Sequence, residues 1–214
     1  MKFDTFLQSL TKLQNIELPF LESHQKMAPF ERLNELRNTD FSSIDYREAA
    51  VLILFYSKNN ETYFVLIERN EYEGVHSKQI SLPGGKKENF DIDLMYTAVR
   101  ETSEEIGVKI DINEVIMPLS PVYVPPSNFM IFPFIGAISN SFKFCADPRE
   151  VKNVIEVNIS QLLDPDIIKY QDISTSYANM TKVPYFKIDD YVVWGATAMI
   201  LSELSDVFKT LLKQ

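Results

Sequence analysis

The chain has 214 residues, of which 45% are hydrophobic, and a formal net charge of -9. This length suits one substantial domain with an extension, and the composition is that of a globular rather than a disordered protein. The acidic balance argues against nonspecific binding of nucleic acid or of an anionic membrane, since both favour basic surfaces.

The single cysteine, Cys145, excludes an intrachain disulfide. No stretch reaches the ~20 apolar residues that are needed to span a bilayer. Asp4 places an acid in the N-terminal segment, where a secretory signal would be basic and then apolar. We therefore expect a cytoplasmic protein.

The first 45 residues are predicted to form a helical extension. A proline at position 19 interrupts the helical pattern, and residues 30–36 predict a second short helix. We expect residues 1–45 to pack on the domain formed by residues 46–214, or to join two subunits. The first helix is predicted from apolar side chains that recur at helical spacing, namely Phe3, Phe6, Leu7, Leu10 and Leu13.

A hairpin is predicted at the start of the domain. Residues 49–56 form a continuous apolar run of strand length, as expected for a strand buried on both faces. Asn59 and Asn60 favour a turn, and residues 63–67 are the predicted partner strand. The polar stretch 71–81 is expected to be a loop that borders the substrate.

The next predicted element is a helix over residues 93–106, which follows the glycine pair Gly84-Gly85 and a short acidic loop. Asp91 or Asp93 can serve as its N-cap. Gly107 suits the left-handed position that ends a helix.

This helix carries three glutamates, Glu101, Glu104 and Glu105, within an arc of roughly 100°. Carboxylates this close repel one another, whereas a hard cation such as Mg²⁺ prefers their oxygens, with substrate phosphate completing its shell. Arg100 lies at the edge of the arc, where it can orient a carboxylate. The alternative is a solvated charged helix face. The glycine pair and the closing Gly107 favour the metal site.

The rest of the chain predicts further strands and helices. Strands are predicted over residues 115–124 and 129–138, with Pro125-Pro126 forcing the bend between them. The remaining predictions are a strand at 150–157, a short helix at 159–163, a hairpin of 183–188 with 191–194, and a last helix at 197–213. Strands interleaved with helices in this way indicate the α/β class.

The glycine pair and the acidic helix together resemble the signature of the Nudix hydrolases, which cleave a nucleoside diphosphate linked to another group. The sequence departs from the pattern where Asp91 stands in place of a glutamate, where the gap to Arg100 is one residue longer, and where Thr102 replaces an apolar residue. The resemblance implies a Nudix-type α/β/α sandwich with a mixed β-sheet. The matching positions are Gly85, Arg100, Glu101, Glu104, Glu105, Gly107 and Val108.

The longer gap is similar to that of the coenzyme A pyrophosphatase branch of this superfamily. The segment from Val65 to Gly85 has the spacing of that branch's upstream motif, although Gly74, Lys78 and Leu82 replace its arginine, glycine and phenylalanine. Residues 120–129 and 193–199 also resemble the branch. The implied reaction converts coenzyme A, or an acyl derivative, to adenosine 3′,5′-bisphosphate and 4′-phosphopantetheine or its acyl form.

Two alternatives remain open. An ADP-ribose or similar dinucleotide pyrophosphatase would keep the chemistry and change the substrate. A Nudix-fold module that senses a nucleotide without cleaving it would bind but not react, although such modules typically lose metal-site glutamates.

The resemblance and the residue chemistry together imply a set of site residues. Mg²⁺ or Mn²⁺ would be the cofactor, and a nucleoside diphosphate derivative would be the small-molecule partner of a monomer or homodimer. The expected metal ligands are Glu101, Glu104 and Glu105, and the expected catalytic residues are Glu104, Glu105, Arg100 and Glu150. The expected substrate-binding residues are Arg69, His76, Lys78, Gln79, Gly84, Gly85, Ser127 and Asn128.

Each of these roles has a plainer alternative. Glu150, which precedes a predicted strand, is a second candidate for the general base or an ordinary exposed acid. Arg69 would bind phosphate or pair with a nearby acid. Lys78, with Lys86 and Lys87, would attract a third phosphate or remain solvated. Trp194 and Phe129 are expected in the core, or else in the wall of the pocket.

Overall fold

The structure is a computed structural model that describes residues 1–13, 16–30, 32–33, 38, 40, 43–70, 79–173 and 181–212. Short 3₁₀ turns occupy Ile112–Glu114, Pro125–Ser127 and Pro165–Ile167. In chain order the helices and strands are α1 (Phe3–Leu13), α2 (Phe20–Lys26), β1 (Arg47–Lys58), β2 (Glu61–Arg69), β3 (Ile80–Ser81), β4 (Gly84–Lys86), α3 (Leu94–Ile106), β5 (Val115–Pro118), β6 (Val122–Val124), β7 (Phe129–Ile138), β8 (Val151–Asn158), α4 (Ile159–Leu163), β9 (Ile168–Ile173), β10 (Thr181–Ile188), β11 (Tyr191–Val193) and α5 (Gly195–Leu211).

Strand β1 lies at the centre of an eight-stranded sheet whose main order is β3-β2-β1-β7-β5. β1 pairs in parallel with β7 and antiparallel with β2, so the predicted mixed sheet is confirmed. The β1–β2 hairpin turns at Asn59 and Asn60, whose positive φ values of 52° and 63° suit the tight turn predicted there. β9, β10 and β11 form a separate three-stranded sheet.

The glycine pair lies inside the sheet. β1 and β2 pair only over residues 55–58 and 61–64, and the other side of each strand is taken by β7 and β8. β3 therefore pairs with β2, and β4 with β1, in the space where β1 and β2 diverge. The pairing of β4 with β1 therefore holds Gly84 and Gly85 next to the central strand of the sheet.

Helices cover both faces of the sheet, which confirms the α/β/α sandwich. Alternate side chains of β1 point to opposite faces, as the two-residue period of a strand requires. Ala50, Leu52 and Leu54 pack in one core with α3, whereas Ile53 and Phe55 pack in another with α1 and α5.

The N-terminal helices are part of the second core. The Phe6 ring is fully buried and lies 4.5 Å from the Phe55 ring and 5.5 Å from the Phe208 ring, between centroids. α2 packs on α5, where Lys26 forms an ion pair of 2.7 Å with Asp206.

Several boundaries differ from the predictions. The single strand predicted over residues 115–124 is two strands, because Pro118 and Pro121 lack the N–H that a continuous ladder needs. α2, β3, β4 and β9 were not predicted. Residues 80–81 of the predicted loop 71–81 form β3, and residues 71–78 lie outside the described residues. Of the helix predicted over 30–36, Phe30, Arg32 and Leu33 are helical and the other positions lie outside the described residues. Within the described part of the chain, no helix has the length and apolar character to cross a bilayer.

Candidate metal and diphosphate site

Helix α3 is fixed at both ends by its own sequence. Of the two predicted N-cap candidates, Asp93 is the cap, since its side chain accepts a hydrogen bond of 2.7 Å from the Tyr96 N–H. Gly107 ends the helix in the left-handed conformation, with φ 68°. A Cβ at Gly107 would overlap the backbone of Cys145, so both conformation and space require glycine there.

The three glutamates of α3 have different environments. The side chain of Glu104 is 62% exposed and that of Glu101 is 17% exposed, whereas that of Glu105 is 1% exposed. The carboxylates therefore range from solvated to enclosed, although they share one arc of the helix.

Glu105 joins α3 to the glycine turn. Its Oε2 accepts a hydrogen bond of 2.7 Å from the Gly84 N–H, and its Oε1 accepts one of 3.2 Å from Arg69 Nη1. Burial raises the pKa of Glu105 to about 7, although the Arg69 charge and the Gly84 hydrogen bond act in the opposite direction. The charges of Glu101 and Glu150 raise this pKa further. A buried carboxylate that titrates near neutrality is typical of functional sites.

Arg100 organises the other two glutamates. Its Nη1 lies 2.8 Å from Glu101 Oε1 and donates a hydrogen bond of 3.1 Å to Glu104 Oε2. Its Nε and Nη2 both donate to the Asp91 carboxylate, at 2.8 Å each, in a bidentate pair. Arg100 accordingly holds the pKa of Asp91 well below its usual range. Asp91, at the position where the pattern has a glutamate, thus anchors the arginine.

Glu150 lies in the exposed turn before β8, where its backbone oxygen accepts the Asn70 N–H at 2.9 Å. Its charge contributes to the raised pKa of both Glu101 and Glu105, so its carboxylate is within electrostatic reach of the cluster.

The donor set fits a hard divalent cation. Within the described ranges, no three Asp, Glu, His or Cys side chains already have their ligating atoms gathered as a metal shell. Burial is the main cause that raises the pKa of Glu101, while Arg100 lowers it and the charges of Glu104 and Glu150 add smaller increases. The ion pairs of the four carboxylates Asp91, Glu101, Glu104 and Glu105 are with two arginines, Arg69 and Arg100, which leaves an excess of negative charge. Mg²⁺ and Mn²⁺ relieve such an excess, and take carboxylate and phosphate oxygens.

A cavity of about 620 Å³ adjoins the glycine turn, and its walls are mainly apolar. Gly84, Gly85 and Arg69 line it, which places the cluster around Glu105 at its edge. This volume falls within the range of about 300–1,000 Å³ that is typical of small-molecule sites.

The predicted substrate-binding residues are only partly brought together. Gln79 and Ser127 line the cavity with the glycine pair and Arg69. Asn128 is absent from the cavity wall, since its side chain accepts a hydrogen bond from the Tyr123 hydroxyl and donates one to the Asp45 carbonyl. His76 and Lys78 lie outside the described residues. Trp194 and Phe129 were expected in the core first and in the pocket wall second, and both line the cavity.

Two of the three lysines predicted to attract a third phosphate, Lys86 and Lys87, are within the described residues and are paired with acids. Lys87 forms an ion pair of 2.8 Å with Glu48, and Lys86 lies 3.5 Å from Glu88. Arg69 likewise pairs with an acid, Glu105, which was the alternative to phosphate binding for this arginine.

The model of the NUDIX domain family matches residues 46–176. The chain belongs to the Nudix family. It is therefore a hydrolase that acts on a diphosphate bond, and hydrolases of this family need a divalent metal ion.

Individual Nudix proteins support this membership. The chain is 27% identical over 159 residues to the Nudix hydrolase NudL of Photorhabdus laumondii. The aligned residues cover 74% of this chain and 83% of NudL. It is 31% identical over 171 residues to mitochondrial Nudix hydrolase 15 of Arabidopsis thaliana. The aligned residues cover 75% of this chain and 58% of the plant protein. The crystal structure of a MutT/nudix family protein from Enterococcus faecalis has the same fold, with a TM-score of 0.54 at 14% identity, covering 91% and 73% of the two chains.

The part matched by the Nudix family does not supply the whole cavity. Pro29 and Arg32 contribute from the N-terminal extension, and Arg32, which is buried, donates a hydrogen bond to the Tyr123 carbonyl. Met199 and Ile200 of α5, which lie after the matched part of the chain, also line the cavity. No sequence signal identified Pro29, Arg32 or Ile200, because their place in the cavity follows from the packing of distant segments.

Proposed function

We propose that the protein is a Mg²⁺- or Mn²⁺-dependent pyrophosphohydrolase that converts coenzyme A or an acyl derivative to adenosine 3′,5′-bisphosphate and 4′-phosphopantetheine or its acyl form. One observation carries the choice of substrate. The three segments that resemble the coenzyme A branch are distant in sequence, yet each contributes to the same cavity. The contributing residues include Arg69 from the first segment, Val124, Pro126, Ser127 and Phe129 from the second, and Trp194, Gly195, Ala196, Thr197 and Met199 from the third.

The chemistry of the site suits attack of water on one phosphorus of a diphosphate. A bound divalent ion would lower the pKa of the attacking water and neutralise the phosphates. Glu101, Glu104 and Glu105 would supply its oxygen ligands, and Arg100 orients Glu101 and Glu104. The glycines of β4 line the cavity beside these carboxylates, and the missing side chain of Gly85 leaves room for the Glu101 carboxylate.

Two groups are suited to accept the proton of the attacking water. Glu105 has a pKa of about 7, which lets its carboxylate take up a proton near neutral pH. Glu150 is the second candidate, because it is exposed and within electrostatic reach of the glutamates.

A substrate panel with Mg²⁺ tests the proposal. Initial rates are compared for coenzyme A, acetyl-coenzyme A, ADP-ribose, NADH and diadenosine polyphosphates. We expect the highest kcat/KM for the two coenzyme A compounds. A preference of tenfold or more for ADP-ribose would reject the substrate assignment, and nucleotide binding without any hydrolysis would indicate a sensor.

A further inference from the structure

The cavity has two kinds of wall. Near the glycine turn lie the charged Arg69 and Lys86, which belong to the part matched by the Nudix family. The segments outside that match are mainly apolar at the cavity. They contribute Pro29 from the N-terminal extension, and Trp194, Ala196, Met199 and Ile200 from the residue after β11 and the first turns of α5. The polar exceptions in these segments are Thr197 and the buried Arg32, whose guanidinium donates a hydrogen bond to the Tyr123 carbonyl.

We infer that this apolar part of the cavity binds the acyl group of an acyl-coenzyme A, so that the segments outside the Nudix match select a thioester with an apolar acyl chain over free coenzyme A. This inference rests on the proposed function and names the substrate class within it.

The composition of the cavity supports an apolar occupant. A sugar placed against Pro29, Ala196 and Ile200 would lose water from its hydroxyls without gaining partners for them, which is unfavourable. An acyl chain has no such groups, and its methylenes would leave water for an apolar surface. Phe129 and Ile131 extend the apolar lining on the sheet side of the cavity.

The position of the cavity also fits. Gly84 and Gly85 line it and, through the Gly84–Glu105 hydrogen bond, lie beside the carboxylates that would hold the metal. A substrate with its diphosphate at the glycine turn can therefore extend one arm directly into the cavity. The thioester end of that arm would then lie among side chains of β7 and α5.

The test is a series of substrates that differ only in acyl length: free, acetyl-, butanoyl-, hexanoyl- and octanoyl-coenzyme A. A fully buried methylene contributes ~0.8 kcal/mol, which corresponds to about a fourfold change. We expect kcat/KM to rise about two- to fourfold per methylene until the cavity is filled. A flat or falling series would overturn the inference.

A variant locates the effect. Ala196→Phe fills the cavity from α5 and should lower the ratio of kcat/KM for hexanoyl- over free coenzyme A by at least about tenfold, the loss of two or more buried methylenes. Thr210→Phe is the matched control, because Thr210 is exposed on the same helix and away from the cavity. This control should keep the wild-type ratio.

The outcomes separate the two proposals. If ADP-ribose is cleaved at least tenfold better than every coenzyme A compound, the proposed function itself fails. If coenzyme A compounds are the best substrates but the acyl length has no effect, only the acyl inference fails. An unchanged ratio in Ala196→Phe, with the acyl series still rising, would also overturn the inference, because the chain would then bind elsewhere.

Discussion

Gly84 and Gly85 are adjacent, yet the structure excludes a side chain at each for a different reason. At Gly84, φ is +145°, and a Cβ would overlap the Ala50 carbonyl and the Val51 backbone. At Gly85 φ is not in the left-handed region, and the three atoms nearest to an added Cβ all belong to the Glu101 carboxylate. The first glycine therefore serves the fold and the second serves the site.

The matched pair of alanine substitutions should separate these roles. We expect Gly84→Ala to lower the free energy of unfolding by about 2–4 kcal/mol, since backbone cannot move aside as a side chain can. Gly85→Ala should retain stability but lose about 10–100-fold in activity or metal affinity, as when a ligand's support is disturbed. Urea unfolding and a Mg²⁺ titration of activity measure the two effects. Equal loss of stability in both variants would contradict the assignment.

Glu105 is the most enclosed of the three glutamates, and its neutral isostere tests its chemical role. In Glu105→Gln the side-chain oxygen can still accept the Gly84 N–H, but the amide group cannot accept from Arg69, so we expect a folded protein that is less stable by about 1–3 kcal/mol. Turnover should fall about 10²–10⁴-fold, the range for loss of a positioned acid–base group. Glu17→Gln, at an exposed loop position, is the control. Near-normal turnover in Glu105→Gln would remove this residue from catalysis.

Helix α1 illustrates how an element outside the family match can belong to the core. Phe6 is fully buried between Phe55 and Phe208, whereas Phe30, also in the N-terminal extension, is 76% exposed. We expect Phe6→Ala to cost about 3–5 kcal/mol of stability in urea unfolding, because it leaves a cavity between sheet and helix.

The control is Phe30→Ala, which should change stability by no more than about 0.5 kcal/mol. If both substitutions were equally mild, the extension would be an appendage that unfolds independently of the sheet.

The elements that the sequence predicted are those with local signals. β1 and β2 have apolar runs and an Asn-Asn turn, and α3 has a cap at each end. α2 has neither, since it begins after Pro19 with no side-chain cap and has only seven residues. It is stabilised by α5, through contacts of Ser23 and Lys26 with Asp206. Such contacts join positions about 180 residues apart and leave no periodic pattern.

In the site, too, the features with a local sequence signal were predicted and those that depend on distant segments were not. The spacing of Glu101, Glu104 and Glu105 on one helix placed them on one arc, and their nearness to a glycine turn followed from the motif. The burial of Glu105 could not be predicted, because it depends on Arg69 and Gly84, which arrive from β2 and β4.

At the scale of the molecule, a buried carboxylate joins three distant segments. Glu203 of α5 accepts hydrogen bonds from the Ser120 N–H at 3.0 Å, the Ser120 hydroxyl at 2.5 Å and the Phe20 N–H at 3.1 Å. His24 Nε2 lies 3.5 Å away, at the outer limit of a hydrogen bond. Burial alone would raise the pKa of Glu203, but the proximity of His24 and the bonds from Ser120 outweigh it and lower the pKa.

This arrangement predicts a pH-dependent contribution to stability. Because the folded-state pKa of Glu203 lies below its ordinary value of 4.5, the stabilisation is fully present above that pH and is lost as pH falls through the folded-state value. Glu203→Gln cannot satisfy all the donors, so we expect a loss of about 1–3 kcal/mol at pH 7.

The difference between wild type and Glu203→Gln should narrow below about pH 4.5, in thermal unfolding followed at a series of pH values. Glu22→Gln, exposed on α2, should match wild type throughout. A difference that widened on acidification would contradict the direction given for the Glu203 pKa.

The parallel pairing of β1 with β7 has a consequence for how the enzyme reaches its native state. Arg47 pairs with Phe129, about 80 residues later, and the helix that bears the glutamates lies in the intervening chain. Closing so large a loop costs chain entropy before any contact repays it, which makes such topologies slow to fold. During synthesis, α3 can acquire its full sheet support only after β7 has left the ribosome. Activity in refolding experiments should accordingly return with the slowest phase, rather than with the early gain of helical signal.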